Sequence, residues 1–208
     1  MPALLVAAFL GGWFAWTLGE YLMHRFAMHE LKGRGLPSKE HLRHHADRDS
    51  ILEKWPIAWT GIVVVGFVAF VVIGGLVAGR SVGIAMFAGW VFGYGFYDLH
   101  HWRAHRRPIA NRYERWLRRH HFHHHFGHPM ANHGVTIPLW DHVFGTYEAP
   151  GTVRVPRRMA MVWLTDDDGA VRHEYARDYV VVGTRGRTGD QAKADTDDAF
   201  ANRAPALV

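Results

Sequence analysis

The sequence predicts an all-α integral membrane protein, a small transmembrane helical bundle of about three spans with a histidine-rich metal site at one end. The chain has three long uncharged segments, no cysteine, and 17 histidines in 208 residues, most of them in four short groups. Imidazoles gathered without a metal would be poorly compensated, because each buried ring nitrogen needs a partner and protonated rings would repel one another. We therefore expect a metal centre built from nitrogen and oxygen ligands.

Residues 3–19, 55–79 and 81–97 carry no charged side chain. A transmembrane helix needs about 20 apolar residues, with roughly 17 as the lower limit, so the middle segment is long enough to span and the outer two lie at the lower limit. The first segment lacks a basic stretch before it and a small-x-small cleavage site after it, which favours a span over a signal peptide. Arg80 alone separates the second segment from the third, which predicts a tight helical hairpin.

A hairpin that leaves and returns places the histidines before it and after it on the same side of the membrane. Seven Lys or Arg residues lie between positions 25 and 54 and seven more between 103 and 119, whereas only Arg80 lies at the hairpin tip. The positive-inside rule makes the histidine side cytoplasmic. The Gly75-xxx-Gly79 and Gly89-xxx-Gly93 pairs predict close approach of the hairpin helices.

The net charge of +5 could also suggest a nucleic-acid partner, but the long uncharged stretches favour a membrane surface and no nucleic acid. The spacings within the histidine groups suit metal ligation. The candidate ligands are His24, His29, His41, His44, His45, His101, His105, His121, His124 and His125.

Helical spacing predicts how these rings are shared. His101 and His105, four residues apart, lie on one helical face. Each HxxHH group could present three nitrogens to one centre from a single turn. His24 and His29, five apart, diverge by about 140° on an ideal helix, so they serve different ions or flank a helix end. Carboxylates near these groups are candidates to fix the second ring nitrogens: Glu20, Glu40, Asp47, Asp98 and Asp141.

Five sequence runs carry a resemblance: EYLMHRFAMH, HLRHH, YDLHHWRAH, HFHHH and NHGVTIPLWDHVFGTY. In this order, and interrupted by a membrane hairpin, they resemble the fatty acid hydroxylase superfamily, which includes sterol desaturases and related membrane oxygenases. The similarity covers about residues 14–149. It implies a cytoplasmic helical cap over a dinuclear metal site, usually taken as iron, that activates O2 and inserts oxygen into a C–H bond of a lipid chain.

Spacing alone allows the last group to be read as His120, His123 and His124 or as His121, His124 and His125. The resemblance favours the second register, because the superfamily places a further histidine before the group and an aromatic residue after it. His128, His133, His142 and His173 lie outside the strongest spacings and are interpreted as surface or hydrogen-bonding residues. His133 and His142 could also line the pocket rim.

The expected function is hydroxylation of a membrane lipid, with a fatty acyl substrate favoured. It requires two iron ions, O2 and electrons from a separate donor protein, although nitrogen sites rank zinc above ferrous iron in affinity and purified protein can carry zinc. A carotenoid or sterol-type hydroxylase or desaturase is the alternative within the superfamily. A metal transporter or metal buffer is more remote, because the middle segment has few polar side chains.

Composition changes after residue 149. We expect residues 1–149 to form the membrane-embedded histidine-box domain and residues 150–182 a short cytoplasmic extension. Residues 159–165 and 179–182 could pair as a β-hairpin around the Asp166–Gly169 turn. The segment 183–208 is polar and has little to bury, which predicts disorder.

Overall fold

The computed structural model describes residues 1–47, 55–184 and 186–208 of the chain. Two of the basic residues used to predict the orientation, Arg48 and Lys54, lie outside these ranges. The described elements are α1 (Pro2–Leu22), a π-helix (Met23–Glu30), α2 (Leu36–Ala46), α3 (Trp55–Gly66), a π-helix (Phe67–Gly74), α4 (Gly75–Ala78), α5 (Arg80–Arg106), α6 (Arg112–Phe126), α7 (Leu139–Phe144), β1 (Val153–Pro156), two 3₁₀ turns (Arg157–Met159 and His173–Tyr175), β2 (Tyr179–Val182) and α8 (Gly189–Phe200).

Within the described part of the chain, three continuous helices are long and apolar enough to cross a membrane: Pro2–Glu30, Pro56–Ala78 and Arg80–Arg106. Most of their apolar side chains face outward, as in Val64, Val65 and Ile73 of the second helix, which are more than half exposed. A water-soluble fold would bury such residues, whereas lipid chains solvate them. The all-α membrane bundle with three spans is therefore confirmed.

Glycines let α1 and α5 pack at very short range. A Cβ on Gly12 would lie 1.9 Å from the carbonyl oxygen of Met86, and one on Gly89 would lie 1.9 Å from that of Phe9. Gly93 faces the ring of Trp16 on α1. The expectation that Gly89 and Gly93 join the two hairpin helices is therefore wrong, because this face of α5 meets the first helix and not the second.

The second helix contacts α5 through other positions. Gly83 of α5 lies against the Phe70 carbonyl and the backbone of Gly75, so one glycine of the predicted Gly75-xxx-Gly79 pair does lie at the hairpin contact. Trp90 completes this interface by donating its indole N–H to the carbonyl of Ile62 at 3.0 Å. The hairpin thus returns the chain to the end of the bundle from which it left.

The polar helices α2 and α6 cover that end of the bundle, where the π-helix after α1 and the last turns of α5 carry histidines. The short apolar helix α7 packs against the end of α1, where Phe144 stacks on Tyr21. Asn111 begins α6 by accepting a hydrogen bond from the backbone N–H of Glu114 at 2.9 Å, as expected of an N-cap. A short loop then carries the chain from α6 to α7 through the buried residues 131–136.

The segment after residue 149 pairs differently from the expected hairpin. β2 forms where predicted, but its partner is β1, and the two strands run parallel with Val153 opposite Tyr179. The Asp166–Gly169 turn does form, flanked by a single antiparallel bridge from Thr165 to Val171. Residues 159–165 do not form the other strand, because Met161, Trp163 and Leu164 are all buried and the stretch lacks the alternation of a strand.

These buried side chains belong to the core of the whole molecule. Trp163 lies 6.2 Å from Phe122 of α6, and its indole N–H donates to the carbonyl of Ala104 on α5 at 2.9 Å. The extension therefore packs directly on the two helices that carry the later histidines. The domain boundary at residue 149 stays a prediction.

Residues 189–200 form α8, so the disorder expected for the tail is wrong over this segment. Thr188 and Gln191 form a reciprocal capping box at its first turn. Asp195 forms a buried ion pair with Arg158, and Phe200 lies against Gly33. Composition concealed this helix because its stability depends on one buried ion pair and a few contacts with distant residues.

We expect Gly12→Ala to destabilise the bundle and Gly11→Ala to leave it unchanged or slightly more stable. The added methyl at Gly12 would overlap the Met86 carbonyl, whereas a Cβ on Gly11 meets nothing within 4 Å. Forcing a methyl into a packed contact costs about 1–3 kcal/mol. Thermal unfolding of both variants in detergent, followed by tryptophan fluorescence, measures the difference. Equal midpoints for the two variants would contradict the α1–α5 packing.

Candidate metal centre

The ten candidate ligands converge on two adjacent groups of five, although they come from four separate stretches of chain. Within each group, one nitrogen from every ring lies within 4.8 Å of the others, and all ten residues are buried. The first group is His24, His29, His41, His45 and His124, and the second is His44, His101, His105, His121 and His125.

His24 and His29 share the first group, contrary to the expected divergence of about 140°. The reason is that Met23–Glu30 is a π-helix, whose i to i+5 hydrogen bonds bring residues five apart above one another. The two rings are 5.2 Å apart. Short π segments inside α-helices often mark functional sites. This one explains how two histidines five residues apart can face the same group.

The histidines of each HxxHH motif divide between the two five-histidine groups, so neither motif presents three nitrogens to one centre. His41 and His45 belong to the first group, whereas His44 belongs to the second. In α6, His121 and His125 belong to the second group and His124 to the first. Adjacent residues on a helix point about 100° apart, so the two neighbouring histidines that end each motif turn toward different groups, and the one at i+4 joins the first histidine of its motif. His101 and His105 do share a group, as their spacing predicts.

Ring nitrogens of the first group approach one another at hydrogen-bonding distance. The Nε2 atom of His41 lies 3.0 Å from Nε2 of His24, 2.9 Å from that of His29 and 3.1 Å from that of His45. Nε2 of His124 lies 3.1 Å from that of His29. One ring can donate to one neighbour only, so hydrogen bonds between rings cannot account for all of these contacts.

The partners of the other nitrogens settle the protonation of three rings. Nδ1 of His24 lies 2.6 Å from the carbonyl oxygen of His133, and Nδ1 of His124 lies 2.7 Å from that of Ala131. Carbonyl oxygens only accept hydrogen bonds, so both Nδ1 atoms carry the proton. The same holds for His29, whose Nδ1 lies 3.0 Å from Oδ1 of Asn202.

A neutral ring protonated at Nδ1 has a lone pair at Nε2. The Nε2 atoms of His29 and His124 therefore face each other at 3.1 Å with two lone pairs and no proton between them. Such a contact is repulsive unless a cation lies among the nitrogens. The donor set, five uncharged imidazoles, suits a first-row transition metal such as iron or zinc.

Ring nitrogens of the second group also approach one another at hydrogen-bonding distance. Its Nε2 atoms approach at 3.2 Å between His44 and His101 and at 3.0 Å between His105 and His121. The group also has buried ring nitrogens without a hydrogen-bonding partner among the described residues, at Nδ1 of His44, His105 and His121 and at Nε2 of His125. The three Nδ1 atoms belong to rings whose Nε2 atoms face one another, so a cation among the Nε2 atoms would relieve the close approach there and would leave these Nδ1 atoms without a partner.

The two groups are in direct contact. The ring of His45 in the first group stacks on that of His125 in the second, with centroids 4.0 Å apart and planes 6° apart. Two ions held by these groups would therefore be close neighbours, as in a dinuclear centre.

Burial keeps the rings uncharged. It lowers the pKa of each histidine of α2 and α6 in the two groups well below the ordinary value of 6.5, and repulsion from neighbouring charged groups lowers it further. These residues are His41, His44, His45, His121, His124 and His125. At neutral pH their lone pairs are therefore available for a metal ion.

The groups that fix the outer nitrogens of His24, His29 and His124 are not the carboxylates expected from the sequence. The carbonyls of His133 and Ala131 hold His24 and His124, and the Asn202 amide holds His29. Sequence reasoning missed Asn202, because nothing in a polar tail distinguishes this asparagine from its neighbours. It also missed the 131–136 loop as a source of carbonyl partners.

Two of the expected carboxylates, Asp141 and Glu20, bind the 131–136 loop and hold it in place. Asp141 is fully buried and accepts from the backbone N–H groups of His133 and Gly134 at 2.7 and 2.8 Å. Glu20 accepts from the backbone N–H and the hydroxyl of Thr136, both at 2.8 Å. Hydrogen bonds from His120, Thr146 and Gly134 hold the pKa of Asp141 below its ordinary value despite burial, which opposes them. The ionised carboxylate thus fixes the loop whose carbonyls orient His24 and His124.

A buried arginine fixes the turn between α5 and α6, and with it the relative position of their histidines. Arg118 is 1% exposed and donates to the carbonyls of Arg103 and Pro108 at 3.0 and 3.1 Å. Glu114 completes this cluster by accepting from Arg103 at 2.8 Å and from Arg118 at 3.1 Å. His101 and His105 are thereby held opposite His121 and His125.

The remaining histidines lie outside both groups. His120 approaches Asp141 at 3.4 Å, and His123 pairs with Glu148 at 3.0 Å, so the structure brings together the register His121, His124 and His125. His128, His142 and His173 are exposed, as expected.

His133 fits the second of the two interpretations given to it, a hydrogen-bonding residue, and does not lie at the surface. It is fully buried, and its ring lies 5.4 Å from those of His24 and His124 and 5.5 Å from that of His29. Its Nε2 approaches the carbonyl of Met130 at 3.1 Å, which agrees with a hydrogen-bonding role.

Comparison with known proteins agrees with this geometry. A family model described as fatty acid hydroxylase matches residues 9–146. The chain is 34% identical over 153 residues to the ceramide very long chain fatty acid hydroxylase scs7 of Schizosaccharomyces pombe, covering 68% of this chain and 42% of that protein. It is 30% identical over 156 residues to the fatty acid 2-hydroxylase of Rattus norvegicus, covering 69% and 40%.

A solved structure titled full-length scs7p, with only the hydroxylase domain visible, superposes with a TM-score of 0.52 at 28% identity, covering 70% of this chain and 57% of that one. The chain spans about two fifths of the length of the two curated relatives. The matched residues include all ten clustered histidines and the loop that orients them. The chain therefore belongs to the fatty acid hydroxylase family.

Proposed function

We propose that this protein is a membrane-bound lipid hydroxylase that uses two iron ions and O2 to insert oxygen into a C–H bond of a fatty acyl chain. The single observation that carries the proposal is the pair of adjacent five-histidine groups, in which lone pairs of His29 and His124 face each other at 3.1 Å. One cation in the first group would resolve this repulsion, and a second in the adjacent group would lie close enough for the shared redox chemistry that O2 activation needs.

The first ion would be held by His24, His29, His41, His45 and His124, and the second by His44, His101, His105, His121 and His125. Iron bound at such a centre would supply the redox chemistry with O2 that no side chain can provide. Zinc binds nitrogen ligands more tightly than ferrous iron, so zinc in purified protein would not contradict iron as the working metal.

The protein's own residues orient the ligand rings and keep their metal-facing nitrogens free of protons. The carbonyls of Ala131 and His133 hold the protons of His124 and His24 on Nδ1, so that Nε2 stays free to bind. The buried rings are neutral and exclude water from the centre, and Asp141 and Glu20 keep the orienting loop in place.

A lipid substrate is supported by where the centre lies. The first and third membrane helices carry His24, His29, His101 and His105 at the ends where their apolar faces finish. An acyl chain from the bilayer can therefore reach the centre along these helices without crossing water. The names of the two relatives favour a very long acyl chain, in a free fatty acid or a ceramide, and attack at its second carbon.

We further propose that the histidine end lies on the cytoplasmic side and that a separate protein delivers the electrons. The basic residues at that end support the orientation through the positive-inside rule. Hydroxylation consumes two electrons beyond those taken from the C–H bond, so a reductant must supply them in every turnover.

Expression in a host that lacks fatty acid hydroxylation tests the reaction. We expect acyl lipids 16 Da heavier, with the hydroxyl on the second carbon, from the wild-type chain and at least 100-fold less from His124→Ala. His142→Ala, which changes an exposed histidine outside both groups, is the matched control and should retain activity. A product two hydrogens lighter would indicate desaturation instead, and unchanged lipids with wild-type protein in the membrane would refute the proposal.

Metal analysis tests the centre without any assay of activity. Purified wild-type chain should hold close to two ions, counted by elemental analysis. His124→Ala and His121→Ala each remove one nitrogen from a different group, so each should lower the content toward one ion, whereas His142→Ala should not. Chelation should abolish O2 consumption in the presence of reductant and lipid, and ferrous iron, but not zinc, should restore it. A wild-type content near zero after reconstitution would contradict a metal centre.

A further inference from the structure

We propose that Asn202 is a positioning residue for His29, and that the C-terminal segment thereby controls how firmly the first histidine group retains its ion. This inference rests on the proposed function only in taking that group to bind a metal. It concerns residues beyond the stretch that matches the family model, which ends at residue 146.

Asn202 contacts His29 in two ways. Its Oδ1 accepts from Nδ1 of the His29 ring at 3.0 Å, and its Nδ2 donates to the His29 backbone carbonyl at 3.2 Å. The second bond fixes the orientation of the amide, because a carbonyl can only accept. Oδ1 must then face the ring, and the ring proton must lie on Nδ1.

This contact prepares His29 for a metal. With the proton held on Nδ1, the lone pair is at Nε2, which faces Nε2 of His41 at 2.9 Å and of His124 at 3.1 Å. Without an acceptor at Nδ1, the ring could take the other tautomer or rotate away. Loss of such an outer hydrogen bond typically lowers metal affinity 10- to 100-fold.

Distant residues place Asn202 beside His29. Asn202 follows α8 in the left-handed region, at φ 56°, and its backbone N–H donates to Ala199 at 2.9 Å. Asp195 of α8 forms a buried ion pair with Arg158 and a second pair with Arg187 at 3.2 Å. These contacts fix the helix against the extension that follows the histidine region.

The same segment also contacts α2. Arg187 donates to the carbonyl of Ala46 at 2.8 Å, directly after His45 of the first group. Phe200 packs on Gly33, in the turn between His29 and α2. The C-terminal segment thus contacts the chain on both sides of the turn that joins two ligand-bearing helices.

The test uses the full chain in detergent, loaded with Zn²⁺, so that no turnover is needed. Zinc content per chain, the rate of zinc loss to a chelator and the midpoint of thermal unfolding are measured for wild type, Asn202→Ala, Asn202→Asp and Lys193→Ala. Lys193 is an exposed residue of α8 and pairs only with Asp197 among the described residues, so its variant is the matched control.

We expect Asn202→Ala to release one of its two zinc ions at least tenfold faster than wild type. Asn202→Asp keeps an acceptor for the Nδ1 proton but loses the donor to the His29 carbonyl. It should therefore retain zinc like wild type, even though its unfolding midpoint falls with that of Asn202→Ala. A role limited to holding the tail would affect both variants alike.

Zinc release at the wild-type rate in Asn202→Ala would overturn the proposal, and so would equally fast release in Asn202→Asp. If Asn202→Ala does not fold, the rate for Asn202→Asp decides alone: a rate near wild type supports the proposal and a tenfold increase overturns it. A wild-type chain that binds no zinc would instead refute the metal centre itself, which separates the two failures.

Discussion

Neutral imidazole rings repel when their lone pairs face one another, as those of His29 and His124 do, and two groups of five buried rings meet at one end of this membrane bundle. The repulsion disappears only when cations lie among the nitrogens. Much of the fold serves to bring the rings together and keep them uncharged. Three apolar helices return the chain to one end, the cap buries that end from water, and backbone carbonyls keep the protons of His24 and His124 away from the centre.

The ten clustered histidines could be identified from the sequence because their spacing and the hairpin topology are both local patterns. Their division between two groups could not. The HxxHH motif does not reveal that His44 and His45 point to different groups, since that depends on where the neighbouring helices lie. The HxxxxH motif appeared to diverge because an ideal α-helix was assumed, whereas Met23–Glu30 is wound as a π-helix.

Long-range polar contacts account for most of what the sequence concealed. Asp195 pairs with Arg158, which is 37 residues away in the sequence, and Asn202 hydrogen-bonds to His29, which is 173 residues away. No local pattern marks such pairs, so a polar tail with few apolar residues resembled a disordered one. The parallel pairing of β1 with β2 was missed for a similar reason, because the turn between Asp166 and Gly169 indicated a local hairpin.

The π-helix at the end of the first membrane helix has one more consequence. His24 and His29 can reach the same ion only in this winding, which is rarer than the α form. By thermodynamic linkage, an ion that binds one winding more tightly must stabilise it to the same degree. Occupancy of the first group by an ion would therefore be coupled to the rotational register of the chain between Met23 and Glu30. The proposed metal centre would in this way be connected mechanically to the first membrane helix.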